Sequence, residues 1–245
     1  MNRTDFHSHI LPGMDDGAKN TDISVAMLKK LYADGVETVV LTPHFYRKDE
    51  TISHFLERRA ASYKKLCDAV AGMEDCPRLL LGAEVYFYPS LSSDPDFNKL
   101  SLEGTDYILL ELPFEHFYHN FFSSYSKFIS NCNQKLILAH IERYTSFGNT
   151  REEFEQLLNF GKAVCQLNCG SAVEMGLFDK KKTAALIREG YISVLGTDAH
   201  NTDSRPPLFG KAEKKIISKF GEKEIARICK NGSEILGNAP ISKII

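Results

Sequence analysis

Four side chains that can bind metal ions or transfer protons lie close together near the N-terminus. The stretch TDFHSHILPGMDDG, residues 4–17, contains His7, His9, Asp15 and Asp16 around a Pro-Gly pair. Two aspartates before a glycine are common in turns, so this stretch alone does not define a site. Its meaning depends on whether later segments of the chain supply partners for these groups.

Further ligand-type residues recur where short apolar segments end. Together with the N-terminal groups, the candidates are His7, His9, Asp16, His44, Glu84, Glu111, His140, Asp198 and His200. Singly, a histidine at a strand end is often a hydrogen-bonded structural residue, and a glutamate can favour the first turn of a helix. Several carboxylates buried near one another need cations to offset their desolvation, so the combined set predicts a metal site. The remaining histidines, His54, His116 and His119, fall in helical or loop segments.

The candidate ligands are all nitrogen or oxygen donors, which narrows the kind of metal centre. Their number exceeds the four ligands of one tetrahedral site, so we expect a multinuclear centre with a bridging carboxylate. Imidazole and carboxylate together suit Mn, Fe or Zn.

Seven short runs rich in Val, Ile and Leu are the candidate strands that position these ligands. They lie at 3–9, 36–42, 77–85, 107–112, 135–140, 163–169 and 191–198. Their near-continuous apolar character suits strands covered on both faces in a parallel sheet.

Helical patterns separate the strand runs. We expect helices at 21–35, 52–72, 117–130, 151–161, 179–189, 206–219 and 222–230. In the first of these, Thr21 is a candidate N-cap and Gly35 a candidate stop. Repeated strand–helix units without a Pro- or Ser-rich linker predict one α/β domain over residues 1–245, and a barrel rather than a doubly wound sheet, because no Gly-rich phosphate loop is present. In a parallel barrel the carboxyl ends of the strands meet at one face, where the ligands would converge.

Composition excludes several classes of function. The 30 basic and 32 acidic side chains give a net charge of −2, which offers no electrostatic footprint for nucleic acid or an anionic membrane. No apolar run approaches the ~20 residues that span a bilayer, and the segment MNRTDFHSHI does not read as a signal peptide. The six cysteines form no C-x-x-C pair. We therefore expect free thiols and a cytoplasmic, not membrane-inserted, protein.

Several ordered blocks resemble the polymerase-and-histidinol-phosphatase (PHP) superfamily. The blocks are DFHSHILPGMDDG, TPH, GAEVYF, LLELPF, LAHIERY and TDAHNTDSRPP, which run from residue 5 to about 207. Within the superfamily they are most similar to the bacterial manganese-dependent protein-tyrosine phosphatases of capsule and exopolysaccharide operons.

This resemblance implies a distorted (β/α)7 TIM-like barrel with three divalent metal ions on its C-terminal face. Manganese is the expected metal, with iron or zinc as the alternatives. The nine candidate ligands match the ligands of the family, with Asp16 a better match than Asp15, and Arg143 and Arg205 match its phosphate-facing arginines. The implied activity is metal-dependent hydrolysis of phosphotyrosine on a protein, with the tyrosine-rich tail of a polysaccharide-export tyrosine kinase as the expected partner. The segment FYRKDETISH, residues 45–54, matches no family motif.

Alternatives remain at this stage. The same metals would serve a small-molecule phosphomonoesterase such as a histidinol-phosphate phosphatase, or a catalytically idle protein that binds a phosphorylated partner. Arg143 and Arg205 could instead form surface ion pairs. A phosphocysteine mechanism is disfavoured, because no cysteine has an arginine six positions later.

An aromatic-rich segment, PFEHFYHNFFSSY at residues 113–125, has two interpretations. Most of its rings are expected to face the core at helical spacing. The functional interpretation is a partly exposed aromatic lip that contacts a tyrosine-containing peptide. Tyr46 and Tyr86, each two residues beyond a candidate ligand, allow the same two interpretations.

Overall fold

The computed structural model describes residues 1–175 and 181–244. The strand segments in this part of the chain are β1 (Thr4–Asp5), β2 (Thr38–Leu41), β3 (His44–Phe45), β4 (Arg78–Leu81), β5 (Glu84–Tyr86), β6 (Tyr107–Glu111), β7 (Lys135–Leu138), β8 (Ala163–Asn168) and β9 (Ile192–Gly196). The α-helices are α1 (Thr21–Ala33), α2 (Ile52–Val70), α3 (His119–Asn131), α4 (Arg151–Leu158), α5 (Cys169–Val173), α6 (Lys181–Arg188), α7 (Phe209–Phe220) and α8 (Glu222–Leu236). Short 3₁₀ helices lie at Leu91–Ser93, Phe97–Leu100, Ile141–Phe147 and Ile241–Lys243.

The described strands form two parallel sheets, with the orders β1-β2-β4 and β3-β5-β6-β7-β8-β9. Backbone hydrogen bonds also join the first segment of the chain to the last strand region, from Phe6 N to Leu195 O (3.1 Å) and from Asp198 N to His7 O (2.7 Å). The predicted α/β fold with parallel strands is therefore confirmed. The closed seven-stranded barrel stays a prediction, because the paired strands do not form one closed sheet.

One of the predicted strands is followed by a further short strand, and another is divided into two segments. The run at 36–42 forms β2, and β3 lies beyond it, after Pro43, whose ring nitrogen cannot donate to a neighbouring strand. The run at 77–85 is divided between β4 and β5 at residues 82–83. As a result, His44 opens β3 directly opposite Glu84, which opens β5.

The predicted helices agree with the structure apart from their ends. The N-cap of the first helix is Asn20 and not the predicted Thr21, which is the first residue of the helix. The side chain of Asn20 accepts a hydrogen bond from Ile23 N. Gly35 follows the helix with a positive φ of 81°, as its role as a stop requires. The last helix continues to Leu236, beyond the predicted end at 230. Of the predicted helix 179–189, residues 181–188 form α6, while residues 179 and 180 lie outside the described residues.

The strands β2, β6, β8 and β9 are buried on both faces, whereas β4 is partly exposed. Successive residues of β6 alternate between two apolar clusters: Ile108 and Leu110 pack in the larger one, while Leu109 packs in the smaller one with Val194 and Ile235. This alternation follows the period of two that strands impose, and it explains the continuous apolar runs of the sequence. None of the helices in the described ranges is long and apolar enough to span a bilayer.

Candidate metal centre

Most of the candidate ligands lie at or just beyond the carboxyl end of a strand, and His44 and Glu84 do so as the first residues of β3 and β5, which follow β2 and β4. His44 and Glu84 are register partners on β3 and β5, and Glu111 at the end of β6 pairs with Tyr86. His140 comes two residues after β7. The segments that carry His7 and His9 pair with the segment after β9 through the bridge of Ser8 to Ala199, which brings in Asp198 and His200. Asp16 lies in the loop before α1.

Glu84 is the centre of this arrangement. It is 1% exposed. Its Oε2 atom lies 2.9 Å from Nδ1 of His44, 3.1 Å from Nε2 of His7 and 3.3 Å from Nε2 of His9. Its Oε1 atom lies 3.0 Å from Nε2 of His140. One carboxylate therefore contacts four imidazoles, the arrangement that a bridging ligand would need.

The structure brings all nine sequence-predicted ligands together. They fall into four overlapping groups whose ligand atoms lie within 4.8 Å of one another. The groups are His9, Asp16, His44 and His200; His7, Glu84 and His140; His7, His9 and Asp198; and His44, Glu84 and Glu111. His54, His116 and His119 belong to none of these groups, which agrees with their helical and loop positions.

The hydrogen bonds of the imidazoles fit metal binding. Nδ1 of His7 donates to Oε1 of Gln166 (3.2 Å), and Nδ1 of His9 donates to Oδ2 of Asp15 (2.7 Å). These bonds place the ring protons on Nδ1, which leaves the lone pairs of the two Nε2 atoms facing each other at 3.1 Å. Two acceptors at that distance repel each other unless a cation or a proton lies between or beside them.

His200 has the same pattern on the other side of the site. Its Nδ1 donates to the backbone carbonyl of Asp198 (2.9 Å), and its Nε2 lies 3.3 Å from Oδ1 of Asp16. Nε2 of His200 is buried and makes no hydrogen bond within the described residues. A buried polar atom of this kind requires a partner, and a divalent cation would satisfy it.

The electrostatics of the protein without metal point the same way. Burial raises the pKa of Glu84, but the charge of His7 and hydrogen bonds from neighbouring imidazoles bring it well below its ordinary value. Burial lowers the pKa of His140, but hydrogen bonds to Glu111 and Glu84 raise it to about 9. Glu84 thus stays ionised and favours a proton on His140, a role that a metal ion would take over.

The two predicted phosphate-binding arginines meet at one carboxylate. Nη2 of Arg143 lies 2.5 Å from Oδ2 of Asp198, and Nη2 of Arg205 lies 2.8 Å from the same atom. Both arginines line a cleft of about 320 Å³ together with Asn168 and Ser171. The arginine side chains are 37% and 41% exposed, so they border the site from the solvent side.

Several residues that hold the ligands were missed at the level of sequence. Oε1 of Gln166 accepts from both His7 and the backbone N–H of His140 (2.7 Å), while its Nε2 donates to Oδ1 of Asn168 (3.0 Å). Nδ2 of Asn168 then donates to Oδ2 of Asp198 (2.9 Å). The available signal was a pair of polar residues two apart in the otherwise apolar run of β8, which places both on one buried face.

The aromatic segment 113–125 divides between core and surface. Four of its rings are buried, as the core interpretation predicts, namely Phe117, Phe121, Phe122 and Tyr125. Phe114 is 40% exposed and stacks on the ring of His140 with a centroid distance of 5.4 Å. Across the ligand cluster, the hydroxyl of Tyr46 lies 3.3 Å from Nδ1 of His44.

Comparisons with known proteins identify relatives along nearly the whole chain. The family model for capsular polysaccharide synthesis, CpsB/CapC, matches residues 3–237. Tyrosine-protein phosphatase CpsB of Streptococcus agalactiae serotype III is 27% identical over 244 residues, covering 96% of this chain and 98% of that protein. Tyrosine-protein phosphatase YwqE of Bacillus subtilis is 29% identical, covering 97% of this chain and 92% of that protein.

A solved structure supports the same relationship. It belongs to a study of YwqE from Bacillus subtilis and CpsB from Streptococcus pneumoniae, described as unique metal-dependent tyrosine phosphatases. The TM-score is 0.79 at 25% sequence identity, and the match covers 96% of this chain and 95% of that one.

Proposed function

Because the chain belongs to the CpsB/CapC family of capsular polysaccharide synthesis proteins, we propose that it is a metal-dependent protein-tyrosine phosphatase. The observation that carries the proposal is the gathering of nine nitrogen- and oxygen-donating side chains around Glu84, beside two arginines. Relatives that align with almost the whole chain carry the name tyrosine-protein phosphatase.

The nine ligands would hold three divalent ions, for which manganese is the proposed metal. The ions would be held by the side chains of the four overlapping groups described above, namely His7, His9, Asp16, His44, Glu84, Glu111, His140, Asp198 and His200. When bound, such ions neutralise phosphoryl charge and lower the pKa of a water molecule. The chain's own contribution is to fix the imidazole tautomers through Asp15 and Gln166, so that Nε2 of His7 and of His9 is free to bind metal.

Arg143 and Arg205 are the proposed phosphate-binding residues. Each guanidinium has five N–H donors in a planar fork, and its contact with Asp198 uses a single nitrogen. The other donors are available for phosphate oxygens in the adjoining cleft. Such charge-assisted bonds would orient the phosphoryl group and stabilise the charge that it carries in the transition state.

The cysteines do not fit a thiol-based mechanism. Four of the six are buried, and burial raises the pKa of Cys132, of Cys169 and of Cys165, the last to about 12. A thiol nucleophile must be a thiolate, which these environments disfavour. The six free thiols fit instead the reducing cytoplasm in which we place the protein.

The substrate of this proposal is the tyrosine-rich tail of a polysaccharide-export tyrosine kinase. A phenoxide departs more readily than an alkoxide, so phosphotyrosine needs less help from a general acid than phosphoserine does.

The whole chain, residues 1–245, would act as a single domain whose strands follow a distorted (β/α)7 barrel, with the ligands at the carboxyl ends of the strands.

The test is release of phosphate from a phosphotyrosine peptide and from histidinol phosphate, measured side by side. The protein is stripped of metal with a chelator, dialysed and resupplied with manganese. We expect manganese-dependent release from the peptide that His200→Ala abolishes, since this variant removes an imidazole from the ligand cluster. A His54→Ala variant is the matched control, because the exposed His54 pairs with Glu50 outside the ligand groups, and the variant should stay fully active.

Turnover of histidinol phosphate alone would move the protein to the small-molecule phosphatases. Activity on neither ester, in a protein that still binds manganese, would favour a binding protein and overturn the proposed function.

A further inference from the structure

Phe114 and Phe147 form an exposed aromatic surface at the edge of the metal centre. Each of the two side chains is 40% exposed, which is unusual for phenylalanine in a packed protein. Their ring centroids lie 6.0 Å apart, and Phe114 also stacks on Tyr144 at 5.6 Å with an angle of 20° between the planes. We call Phe114, Phe147 and the underlying Tyr144 the aromatic platform.

The platform is continuous with the ligand cluster. Phe114 packs against the imidazole of His140 with a centroid distance of 5.4 Å and an angle of 29°. Nε2 of that imidazole lies 3.0 Å from Glu84 and 3.3 Å from Glu111. Only the imidazole of His140 therefore separates the ring of Phe114 from the carboxylates that would hold the metal ions.

The platform is held in place by buried hydrogen bonds and is not a loose loop. The hydroxyl of Tyr144 accepts from Leu112 N (2.8 Å) and donates to Leu112 O (3.1 Å). Asn149 joins the two segments that carry the phenylalanines, since its Oδ1 accepts from Phe117 N (2.7 Å) and its Nδ2 donates to Glu115 O (3.1 Å). A rigid exposed aromatic surface can bind a ring without the cost of ordering it first.

From this geometry we propose that the platform binds the phenyl ring of the phosphotyrosine substrate and selects aryl over alkyl phosphate esters. The inference rests on the proposed function, because it assumes that the phosphoryl group lies at the ligand cluster. An ester oxygen joins phosphorus directly to the aryl ring, so a phosphoryl group held beside His140 would leave that ring next to Phe114, which packs on the same imidazole. The side chains of phosphoserine and phosphothreonine offer no ring to this surface.

Tyr46, which contacts His44 in the ligand cluster, is less suited to binding a phenyl ring. The hydroxyl of Tyr46 is engaged with Nδ1 of His44, and the amine of Lys48 lies 5.9 Å from the ring centroid of Tyr46. Phe114 and Phe147 lack polar atoms and present apolar faces, which suits a phenyl ring.

The test compares binding of phenylphosphonate and methylphosphonate, two non-hydrolysable probes that differ by the ring. Isothermal titration calorimetry is performed on the full chain loaded with manganese, for wild type, Phe114→Ala, Phe147→Ala and Phe114→Trp. We expect Phe114→Ala to weaken phenylphosphonate by about tenfold and to leave methylphosphonate unchanged, because only the stacking partner is lost. Phe147→Ala should act in the same direction, and Phe114→Trp should retain wild-type affinity for both.

A matched control is Tyr32→Ala, which removes an exposed ring (47% exposed) from the last turn of α1, at the opposite end of the strands from the ligands. It should change neither affinity. If Phe114→Ala binds phenylphosphonate as tightly as wild type does, the proposed role of the platform is wrong. It is also wrong if the variant loses affinity equally for both phosphonates, because that result indicates general damage to the site.

The outcome is separable from that of the proposed function. If wild type releases no phosphate from the phosphotyrosine peptide, the proposed function fails whatever the phosphonates show. If wild type is active but the two phosphonates respond alike to Phe114→Ala, the proposed function stands and the platform does not. A platform that binds the ring of the substrate also predicts a raised KM for the phosphotyrosine peptide in Phe114→Ala, with kcat nearly unchanged.

Discussion

Nε2 of His7 and Nε2 of His9 face each other across 3.1 Å in the interior of the protein. Both side chains are fully buried, and each keeps its Nδ1 proton for an acceptor outside the ligand cluster, Gln166 in one case and Asp15 in the other. The acceptors therefore determine which nitrogen is offered to a metal ion. From this relationship we infer that Asp15 positions the ring of His9, while its neighbour Asp16 remains the proposed ligand.

Replacing Asp15 by asparagine should weaken metal binding without removing a ligand. The uncharged amide accepts the hydrogen bond from Nδ1 of His9 more weakly than the carboxylate does. Loss of a hydrogen-bond partner behind a metal-binding histidine typically lowers metal affinity by about 10–100-fold. Titration of the metal-free protein with manganese measures the change. Asp22→Asn, at an exposed position of the first turn of α1, is the control and should bind as wild type does. Unchanged affinity in Asp15→Asn would contradict the positioning role.

The protein without metal should lose stability as the pH rises from about 6.5 to about 9. The pKa of His140 lies at about 9 in the folded chain, against 6.5 as the ordinary value, despite the opposing effect of burial. A raised pKa contributes stability that is complete below the unfolded value and is lost as pH rises through the folded value. Urea unfolding at pH 6.5 and at pH 9, with the chelated protein, measures the loss.

The control for this pH dependence is His140→Gln, which cannot titrate and should show a smaller decline over the same interval. Manganese-loaded wild type should also lack this part of the decline, because a bound metal ion replaces the proton. A decline of the same size in His140→Gln would assign it to other groups.

That the nine candidate ligands meet in space was predictable, because their convergence depends on a property that the sequence displays directly. Six of the seven apolar runs end at, or within two residues of, a candidate ligand such as His44, Glu84 or Glu111, and parallel strands bring their carboxyl ends together whatever the details of packing. Register across the sheet was not needed to infer that these residues meet. The residues that orient the ligands were harder to find, because Gln166 acts through contacts with His7 and His140, which are distant in sequence.

The exact division of the strands was also beyond the sequence. Pro43 identifies a point where one hydrogen bond is lost, but the break at residues 82–83 follows from the neighbouring strand. A Cβ atom on Gly82 would lie 3.1 Å from Cγ1 of Val40 and 3.3 Å from Cγ2 of Thr42. The close approach of these two neighbouring segments therefore favours glycine at position 82. Such a contact depends on tertiary packing, which local patterns do not encode.

Arg143 should be more sensitive to substitution than its charge alone suggests. Arg143→Lys keeps the charge but loses the planar fork that can contact Asp198 and phosphate oxygens together. We expect kcat/KM for the phosphotyrosine peptide to fall by about 100-fold, on the scale of losing one oriented transition-state contact. Arg151→Lys, whose guanidinium pairs with Glu155 on the surface of α4, should have wild-type kinetics. Equal kinetics for the two variants would exclude Arg143 from the phosphate site.

Alkylation of the thiols should leave the phosphatase activity intact. Burial raises the pKa of Cys165 to about 12, and Cys132, Cys169 and Cys229 are likewise buried. Incubation with iodoacetamide at neutral pH, followed by mass spectrometry, should label mainly the half-buried Cys67 and Cys76. Full activity of the labelled protein is the expected result. Inactivation in step with labelling of one cysteine would point to a thiol in the mechanism.

Tyr144→Phe tests how firmly the aromatic platform is anchored to the fold. The variant keeps the ring beneath Phe114 but removes the hydroxyl that bonds both the N–H and the carbonyl of Leu112. Since Tyr144 is fully buried, the unpaired backbone groups should cost about 1–3 kcal/mol in the free energy of unfolding, measured with urea. Tyr191→Phe, whose hydroxyl bonds the exposed Glu155, should cost less than about 0.5 kcal/mol. If the platform requires this anchor, Tyr144→Phe should also weaken phenylphosphonate more than methylphosphonate, whereas a purely structural hydroxyl would lower stability and leave the two affinities unchanged.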